Sequence, residues 1–321
     1  KQVIFLGEHE CLNDLIKINK KFNLKSEVIT SPDQSKLLKK NKIKFKVFKT
    51  LDSKFEKYIL GKYKIDETLF LSIRSRWIFK KKKIENFFKF NLINYHPTRL
   101  PYFGGAADFS WRIIQNDRID AVTFHLVNEK IDAGDIIYFD KSILPKNCKI
   151  PLDLQKYTSK QLVYCYEKLI NKIVKKLKFN FVSQNPNLGK YFPRIYSKLN
   201  SWIDWNMDSA KLERFINAFD DPYDGSQTFL GKIKVKIKKI TLHSGETPNH
   251  PFMAGLVTRH DGNWLVVSSA DENSFLIEEV LNDKNRNIIN DIKVGDRFFT
   301  PKNKLEESKS NRVKFGPMGL I

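Results

Sequence analysis

The sequence has few cysteines and no long apolar run, and each shortage excludes a class of protein. Its three cysteines, Cys11, Cys148 and Cys165, are too far apart for a metal-binding spacing or a disulfide framework. The longest apolar runs, such as Leu69–Ile73 and Ala121–Val127, are much shorter than the ~20 residues that cross a bilayer. No charged-then-apolar leader precedes the first strand-like segment. These features predict a soluble protein of the reducing cytoplasm, with no membrane partner.

Acidic residues are scarce relative to basic ones. The 57 Lys and Arg residues against 36 Asp and Glu give a formal net charge of +21. Such a charge suits a polyanionic partner, either a nucleic acid or a phosphate-bearing small substrate. Only 11 of the cations are arginines, and the chain is also rich in Ile, Asn and Phe, a mixture typical of AT-rich coding sequences. The charge alone therefore does not decide between these partners.

Short apolar segments alternate with stretches of helical periodicity in the first half of the chain. Strands are predicted at Gln2–Gly7, Glu27–Thr30, Phe45–Phe48, Glu67–Ile73, Leu92–His96 and Val122–Leu126. Helices are predicted at Cys11–Asn23, Ala106–Ile114 and Pro151–Leu177. This alternation predicts an α/β fold, a Rossmann-like parallel sheet with helices on both faces. Ligands of such sheets bind beyond the carboxyl ends of the strands, where His96 and Pro97 lie.

The second half of the chain has a different pattern of predicted secondary structure. Residues 183–200 are predicted to be a linker, because Ser183–Lys190 is polar and contains Asn-Pro-Asn. A predicted helix at Ser209–Phe219 is followed by short strands at Ile233–Ile240, Ala254–Thr258, Trp264–Ser268 and Ser274–Val280. We therefore predict an N-terminal domain at 1–182 and a smaller C-terminal, OB-like β-barrel domain at 201–321. Its basic tail, Lys302–Ile321, is expected to be partly disordered.

The chemically informative residues lie between Leu92 and Asp140. Asn94 and His96 are two residues apart on a predicted strand, so their side chains point to one face. A histidine can transfer protons near neutral pH, and an asparagine amide can stabilise a developing oxyanion. Asp132 lies in a predicted loop from which its carboxylate could approach the imidazole. Each residue alone is equally compatible with an ordinary core or surface position; the combination predicts an acid–base site.

The same motifs resemble the folate-dependent formyltransferase superfamily. Its shared signature is matched by Asn-x-His at 94–96, Leu-Pro at 100–101 and Asp-x-Gly at 132–134. The superfamily includes glycinamide ribonucleotide transformylase, methionyl-tRNA formyltransferase and the sugar N-formyltransferases. The resemblance implies an enzyme that transfers a formyl group from N10-formyltetrahydrofolate to an amine, with Asn94, His96 and Asp132 as its catalytic residues. It calls for no metal.

The resemblance also implies binding residues. Leu69–Arg74 is similar to the segment whose backbone lines the folate pocket in relatives, and Asp204–Gly225 resembles the start of the family's C-terminal barrel-like domain. The predicted cofactor-binding residues are Ser72, Ile73, Arg74, Leu100 and Asp135. The predicted substrate-binding residues are Tyr102, Phe103, Gly104 and Gly105. His125 is predicted to support the catalytic residues, with a plain strand residue as the alternative.

Three acceptor hypotheses remain. The first is a nucleotide-linked amino sugar, which would make the chain a sugar N-formyltransferase of surface polysaccharide, including lipopolysaccharide, biosynthesis. The second is methionyl-tRNA, and the third is an inactive folate- or sugar-binding relative, which the retained catalytic residue types disfavour.

The sugar is favoured by three departures from the tRNA enzymes. Ser31–Lys40 lacks their Gly- and Arg-containing insertion, and Thr98–Trp111 replaces their Ser-Leu-Leu-Pro and Arg-Gly-Ala-Ala-Pro-Ile motifs. Phe70–Arg74 followed by Phe109-Ser110-Trp111 is closer to the amino-arabinose formyltransferase than to the tRNA enzymes. Arg74, Arg76 and Arg99 are candidate phosphate contacts or ordinary surface cations. A homodimer is expected, as in many sugar formyltransferases. The sugar, its nucleotide and the position of its amine are not encoded in any motif that we recognise.

Overall fold

A seven-stranded sheet forms the N-terminal part of the computed structural model, which describes residues 1–106, 109–244 and 248–320. Five parallel strands lie in the order β3-β2-β1-β4-β5, and the strands Ile119–Leu126 and Ile136–Ile143 complete the sheet. The parallel strands are Gln2–Gly7 (β1), Lys25–Thr30 (β2), Lys46–Val47 (β3), Thr68–Ile73 (β4) and Leu92–His96 (β5). Every residue of β1 is buried, as expected for a parallel strand that is covered on both faces.

Helices cover both faces of this sheet. Val3 and Phe5 of β1 belong to a core that contains Leu15 and other apolar residues on one face, whereas Ile4 and Leu6 belong to a second core. This alternation follows from the two-residue period of a strand. The helices are Leu12–Lys21, Ser35–Lys40, Ser53–Leu60, Phe109–Ile114 and Pro151–Val174. The predicted Rossmann-like α/β fold is confirmed. Of the predicted Ala106–Ile114 helix, residues 107 and 108 lie outside the described part of the chain.

The sheet is parallel except at one edge, where the last two strands run antiparallel to their neighbours. Ile119–Leu126 runs antiparallel to β5, with Asn94 opposite His125, and Ile136–Ile143 pairs with it in turn. The short helix Phe109–Ile114 does not return the chain to the amino ends of the strands, so the next strand starts from the carboxyl edge. Ile136–Ile143 was not predicted as a strand, since it is a half-exposed edge strand that contains Asp140 and Lys141.

The C-terminal part is a helix, Ser209–Asn217, packed on a six-stranded antiparallel sheet. The strands are Ser226–Leu230, Ile233–His243, Val257–His260, Leu265–Ser268, Ser274–Leu281 and Phe298–Phe299. The sheet curls until its edges meet, where Phe298 N donates to Gly255 O (2.8 Å). Gly255 has φ +77°, and a Cβ there would lie 2.1 Å from the Phe298 carbonyl oxygen. The predicted small barrel-like domain is confirmed, whereas the boundaries at 182 and 200 stay predictions.

The tail is more ordered than the sequence indicated. It forms the helix Lys302–Ser310 and a small hairpin of Phe315–Gly316 with Gly319–Leu320. The hairpin is anchored because the Phe315 ring lies 5.0 Å from the guanidinium of Arg76 and 5.3 Å from that of Arg194. Among the helices of the described residues, none has the length and apolar character needed to cross a bilayer.

Candidate active site

Asn94 and His96 extend from the carboxyl end of β5, as the sequence predicts. Tyr95, between them, points into the core on the opposite face and is 3% exposed. His96 is buried, and Asn94 is half-buried. Because Asn94 and His125 are partners in the antiparallel register, their side chains leave the sheet side by side.

The Asp132 loop folds back onto the same strand pair. Gly134 packs so closely on the backbone that a Cβ would lie 1.9 Å from the Leu126 carbonyl oxygen, so this position requires glycine. Asp132 itself adopts φ +54°, in the left-handed region. Its carboxylate accepts a hydrogen bond from the backbone N–H of Gly105 (2.9 Å). The loop therefore places the Asp132 carboxylate at the carboxyl end of β5.

The Asp132 carboxylate lies between two imidazoles. Its Oδ2 is 3.7 Å from His96 Nδ1, and its Oδ1 is 3.6 Å from His125 Nε2. Asn94 Nδ2 is in turn 3.1 Å from His125 Nε2. The three predicted catalytic residues are therefore close together, but Asn94 is connected to Asp132 through His125. The predicted position of His125 beside the site agrees with this geometry, while the roles of all four residues stay predictions.

The backbone carbonyl partners of His96 and His125 indicate which ring nitrogens carry protons. His96 Nε2 donates to Phe103 O (2.6 Å), which also accepts from Thr98 Oγ1 (2.8 Å). His125 Nδ1 donates to Leu126 O (2.7 Å). A neutral His125 protonated on Nδ1 has its Nε2 lone pair free, so Nε2 can accept the hydrogen bond from Asn94. His125 thus orients the Asn94 amide.

The carboxylate is held in its charged form. Burial raises the pKa of Asp132, but the positive charges that His96 and His125 carry when protonated, the hydrogen bond from protonated His125 and the N–H of Gly105 together lower that pKa to about 2. Asp132 is only 13% exposed, so these interactions act with little solvent screening. The site therefore presents a fixed negative charge beside two imidazoles.

The predicted cofactor-binding residues lie around the same strand ends. Ser72 is buried and pairs in register with Asn94, and Ile73 and Leu100 are also buried. They can contact a ligand mainly through backbone groups or apolar surface. Arg74 forms an ion pair with Glu10 (2.8 Å), and Asp135 accepts a hydrogen bond from Ser183 (3.0 Å).

The predicted substrate-binding segment borders the site. Tyr102 is 48% exposed, and Phe103 stacks on Phe192 with ring centroids 5.2 Å apart. Gly104 and Gly105 pair with Tyr191 and Phe192 as a two-stranded sheet. The candidate phosphate contacts are already engaged, since Arg76 is paired with Asp33 (3.0 Å) and Arg99 with Asp117 (2.7 Å).

Sequence reasoning missed a contribution from the predicted linker. Gln184 Nε2 donates to the carbonyl oxygens of Asp132 (2.8 Å) and Gly134 (2.7 Å) and so clamps the Asp132 loop. No spacing or motif marks this glutamine, because its partners are 50 and 52 residues earlier in the chain. Its polar, turn-rich surroundings indicated only a connection between domains.

Two family comparisons cover most of the chain. Residues 1–150 match the family described as formyl transferase, and residues 196–295 match the formyl transferase C-terminal domain. The chain belongs to the formyl transferase family. The predicted superfamily resemblance is confirmed.

Individual relatives have different described functions. The chain is 29% identical over 166 residues to the bifunctional polymyxin resistance protein ArnA of Wigglesworthia glossinidia brevipalpis, covering 50% of this chain and 24% of that protein. It is 34% identical over 142 residues to a methionyl-tRNA formyltransferase of Buchnera aphidicola, covering 43% of each. These matches thus span less than half the length of either relative.

A solved structure resembles this family member over most of its length. It is an N-formyltransferase from Helicobacter canadensis in complex with folinic acid and dTDP-3-aminofucose, with a TM-score of 0.63. The identity is 22%, and the match covers 86% of this chain and 98% of that one. At this identity the likeness concerns the fold.

Proposed function

We propose that this formyl transferase moves a formyl group from N10-formyltetrahydrofolate to the amine of a nucleotide-linked amino sugar. The observation that carries the proposal is the ionised Asp132 carboxylate, buried 3.7 Å from His96 and 3.6 Å from His125 beside the Asn94 amide. Family membership supports formyl transfer as the reaction, and the folate ligand of the Helicobacter canadensis relative supports the donor.

The reaction needs one proton moved for each formyl group. A neutral amine bonds to the formyl carbon while the bond from that carbon to N10 of the donor breaks; the amine loses one proton, and N10 gains one. We assign both transfers to His96, because the Asp132 carboxylate lies 3.7 Å from its Nδ1 and favours the protonated imidazole. At the end of the cycle, His96 and Asp132 are in the protonation states in which they began.

Asn94 has a different task in this proposal. One of its amide N–H bonds is directed at His125, so the second is available to the formyl oxygen as that oxygen gains negative charge. A side chain that is oriented before the reaction pays no reorganisation cost during it. Asp132 supplies the fixed charge that stabilises the protonated imidazole of His96.

The residues around the site fit a folate donor. Backbone groups of Ser72–Arg74, at the end of β4, adjoin Asn94, and the buried Leu100 offers apolar contact for a flat ring system. The donor contributes an activated formyl group when it is bound. Ser72, Ile73, Arg74, Leu100 and Asp135 remain the residues proposed to hold it.

Two structural features favour a small acceptor over tRNA. Residues 31–40 fold into a single 3-10 turn, Pro32–Gln34, and the helix Ser35–Lys40, with no long basic loop to insert into a stem. Arg74, Arg76 and Arg99 are neutralised by carboxylates, whereas a nucleic acid backbone requires many uncompensated cations. Methionyl-tRNA is the second candidate, favoured by the Buchnera relative and by the net charge of +21.

A panel of acceptors tests the proposal. Purified protein is incubated with N10-formyltetrahydrofolate and dTDP-, UDP- or GDP-linked amino sugars, and separately with charged initiator tRNA, and products are identified by mass spectrometry. We expect a formylated nucleotide sugar, and at least about a hundredfold less of it with a His96→Ala preparation over the same time. Formylation of tRNA alone would overturn the acceptor, and donor binding without any product would favour the inactive relative.

Removing the His125 imidazole tests how Asn94 is oriented. His125→Ala is expected to lower kcat about tenfold with little change in KM, since the Asn94 amide loses an acceptor worth ~1.4 kcal/mol. His125→Gln retains an acceptor and is expected to lose less. Steady-state kinetics of both variants check this. A loss as large as that of His96→Ala would show instead that His125 takes part in the chemistry.

A further inference from the structure

A cavity of about 280 Å³ lies where the N-terminal part meets the C-terminal part. Its walls come from the end of the helix Phe109–Ile114, the loop that follows Ile143 and the helix Ser209–Asn217. The polar and charged residues that define it are Asp117, Arg118, Lys146, Lys149, Glu213 and Arg214. Residues Asn94, His96 and Asp132 do not line it.

Four cations of this cavity, Arg118, Lys146, Lys149 and Arg214, form no ion pair within the described residues. Arg118 donates to the carbonyl oxygens of Cys148 (2.6 Å), Leu144 (3.3 Å) and Pro145, which are neutral partners, so its charge is retained. Within the described residues, Lys146 and Lys149 form no ion pair. Arg214 is more unusual, since its Nε is buried and has no hydrogen-bond partner in the described part of the chain. A buried donor without a partner is costly and commonly marks a site that an acceptor occupies.

The carboxylates of the cavity have other partners. Glu213 accepts a hydrogen bond from the backbone N–H of Leu242 (3.0 Å), and Asp117 is bound by Arg99 (2.7 Å). A further lining cation, Arg112, is paired with the buried Asp120 (2.7 Å). Four cations, Arg118, Lys146, Lys149 and Arg214, are therefore available to a ligand that carries several negative charges.

Size and chemistry limit the ligand. A cavity of about 280 Å³ is smaller than the ~300–1,000 Å³ typical of drug-sized ligands, so it suits a compact group. Guanidinium groups bind phosphate oxygens with paired hydrogen bonds, and lysines add charge. We propose that this cavity is a binding site for a small polyphosphate group, supplied either by a free polyphosphate or by the diphosphate of a nucleotide.

The position of the cavity connects it to the active site. Asp117 lies in its wall and binds Arg99, whose guanidinium lies 5.1 Å from the ring centroid of Phe103. The Phe103 carbonyl accepts the hydrogen bond from His96. A series of contacts thus runs from the cavity wall to the imidazole, although the binding proposal does not depend on formyl transfer.

Calorimetric titration of the full chain tests the site. The ligands are inorganic pyrophosphate, tripolyphosphate, orthophosphate and UDP, and the variants are Arg214→Gln and Lys149→Gln. Arg286→Gln, which removes an exposed arginine far from the cavity lining, is the matched control. We expect pyrophosphate and tripolyphosphate to bind more tightly than orthophosphate, and each cavity variant to weaken their binding at least about tenfold. The control is expected to bind as the unmodified chain does.

The outcomes distinguish a nucleotide from a free polyphosphate as the source of the ligand, and this cavity from the active site. UDP binding that Arg214→Gln also weakens would identify a nucleotide as the source, whereas pyrophosphate without UDP would identify a free polyphosphate. Asp132→Asn is expected to leave pyrophosphate binding unchanged, which distinguishes this cavity from the active site. The proposal is wrong if pyrophosphate does not bind, or if the two cavity variants and Arg286→Gln affect binding equally.

Discussion

Replacing Asp132 with asparagine is expected to lower the rate of formyl transfer at least about a hundredfold while the chain stays folded. The substitution keeps the size of the side chain and its hydrogen bond from Gly105, but it removes the charge 3.7 Å from His96. Without that charge the protonated imidazole is less stable, so the amine proton has a poorer acceptor. Steady-state kinetics with a formylated folate and the identified acceptor measure the loss.

Asp140→Asn is the matched control for this substitution. Asp140 lies in the strand Ile136–Ile143 and accepts a hydrogen bond from Cys165 (3.7 Å), but it makes no contact with His96 among those found in the described residues. We expect this variant to keep its kcat within a few-fold. Near-normal turnover of Asp132→Asn, or an equal loss in both variants, would contradict the role assigned to Asp132.

The negative charge of Asp132 is also expected to affect the free energy of unfolding. The folded-state pKa of Asp132, about 2, is below its ordinary value of 3.8, so its stabilisation is fully present above about pH 4 and is lost as the pH falls toward 2. The shift corresponds to about 2 kcal/mol. Asp132→Asn should therefore be less stable than the unmodified chain at pH 6, and the difference should shrink toward pH 2. Denaturant unfolding at several pH values measures it.

The sequence was sufficient where local periodicity determines geometry. The apolar runs at β1, β4 and β5 are almost wholly buried, as parallel strands are, whereas β3 is two exposed residues. The bounds of these five strands differ from the predicted ones by at most two residues. Asn94 and His96 were predicted on one face because side chains alternate along any strand. This rule holds regardless of what packs above the sheet.

Other parts of the site depend on contacts that no local pattern records. His125 faces Asn94 only because Ile119–Leu126 runs antiparallel to β5, a direction set by the connection between them. Gln184 clamps the Asp132 loop from a segment that resembles a linker. The cavity around Arg214 unites residues of three distant segments, and its cations are ordinary in the sequence.

Removing the His96 imidazole is expected to lower kcat/KM by about 10²- to 10⁴-fold, the range of a lost acid–base group. The more informative experiment combines His96→Ala with Asp132→Ala. If the carboxylate acts through the imidazole, the double variant should lose little more than the worse single variant, because residues that act as one unit are strongly non-additive. The four proteins of this cycle are compared under single-turnover conditions.

His260→Ala provides the control for imidazole removal, since His260 lies in the Val257–His260 strand of the C-terminal barrel. As a single variant, His260→Ala is expected to keep the rate of formyl transfer. Combined with Asp132→Ala, it is expected to show no coupling energy between the two substitutions. Losses that multiply in the His96 and Asp132 double variant would mean that the two groups act on separate steps. The 3.7 Å approach of carboxylate and imidazole would then position the loop rather than transfer the proton.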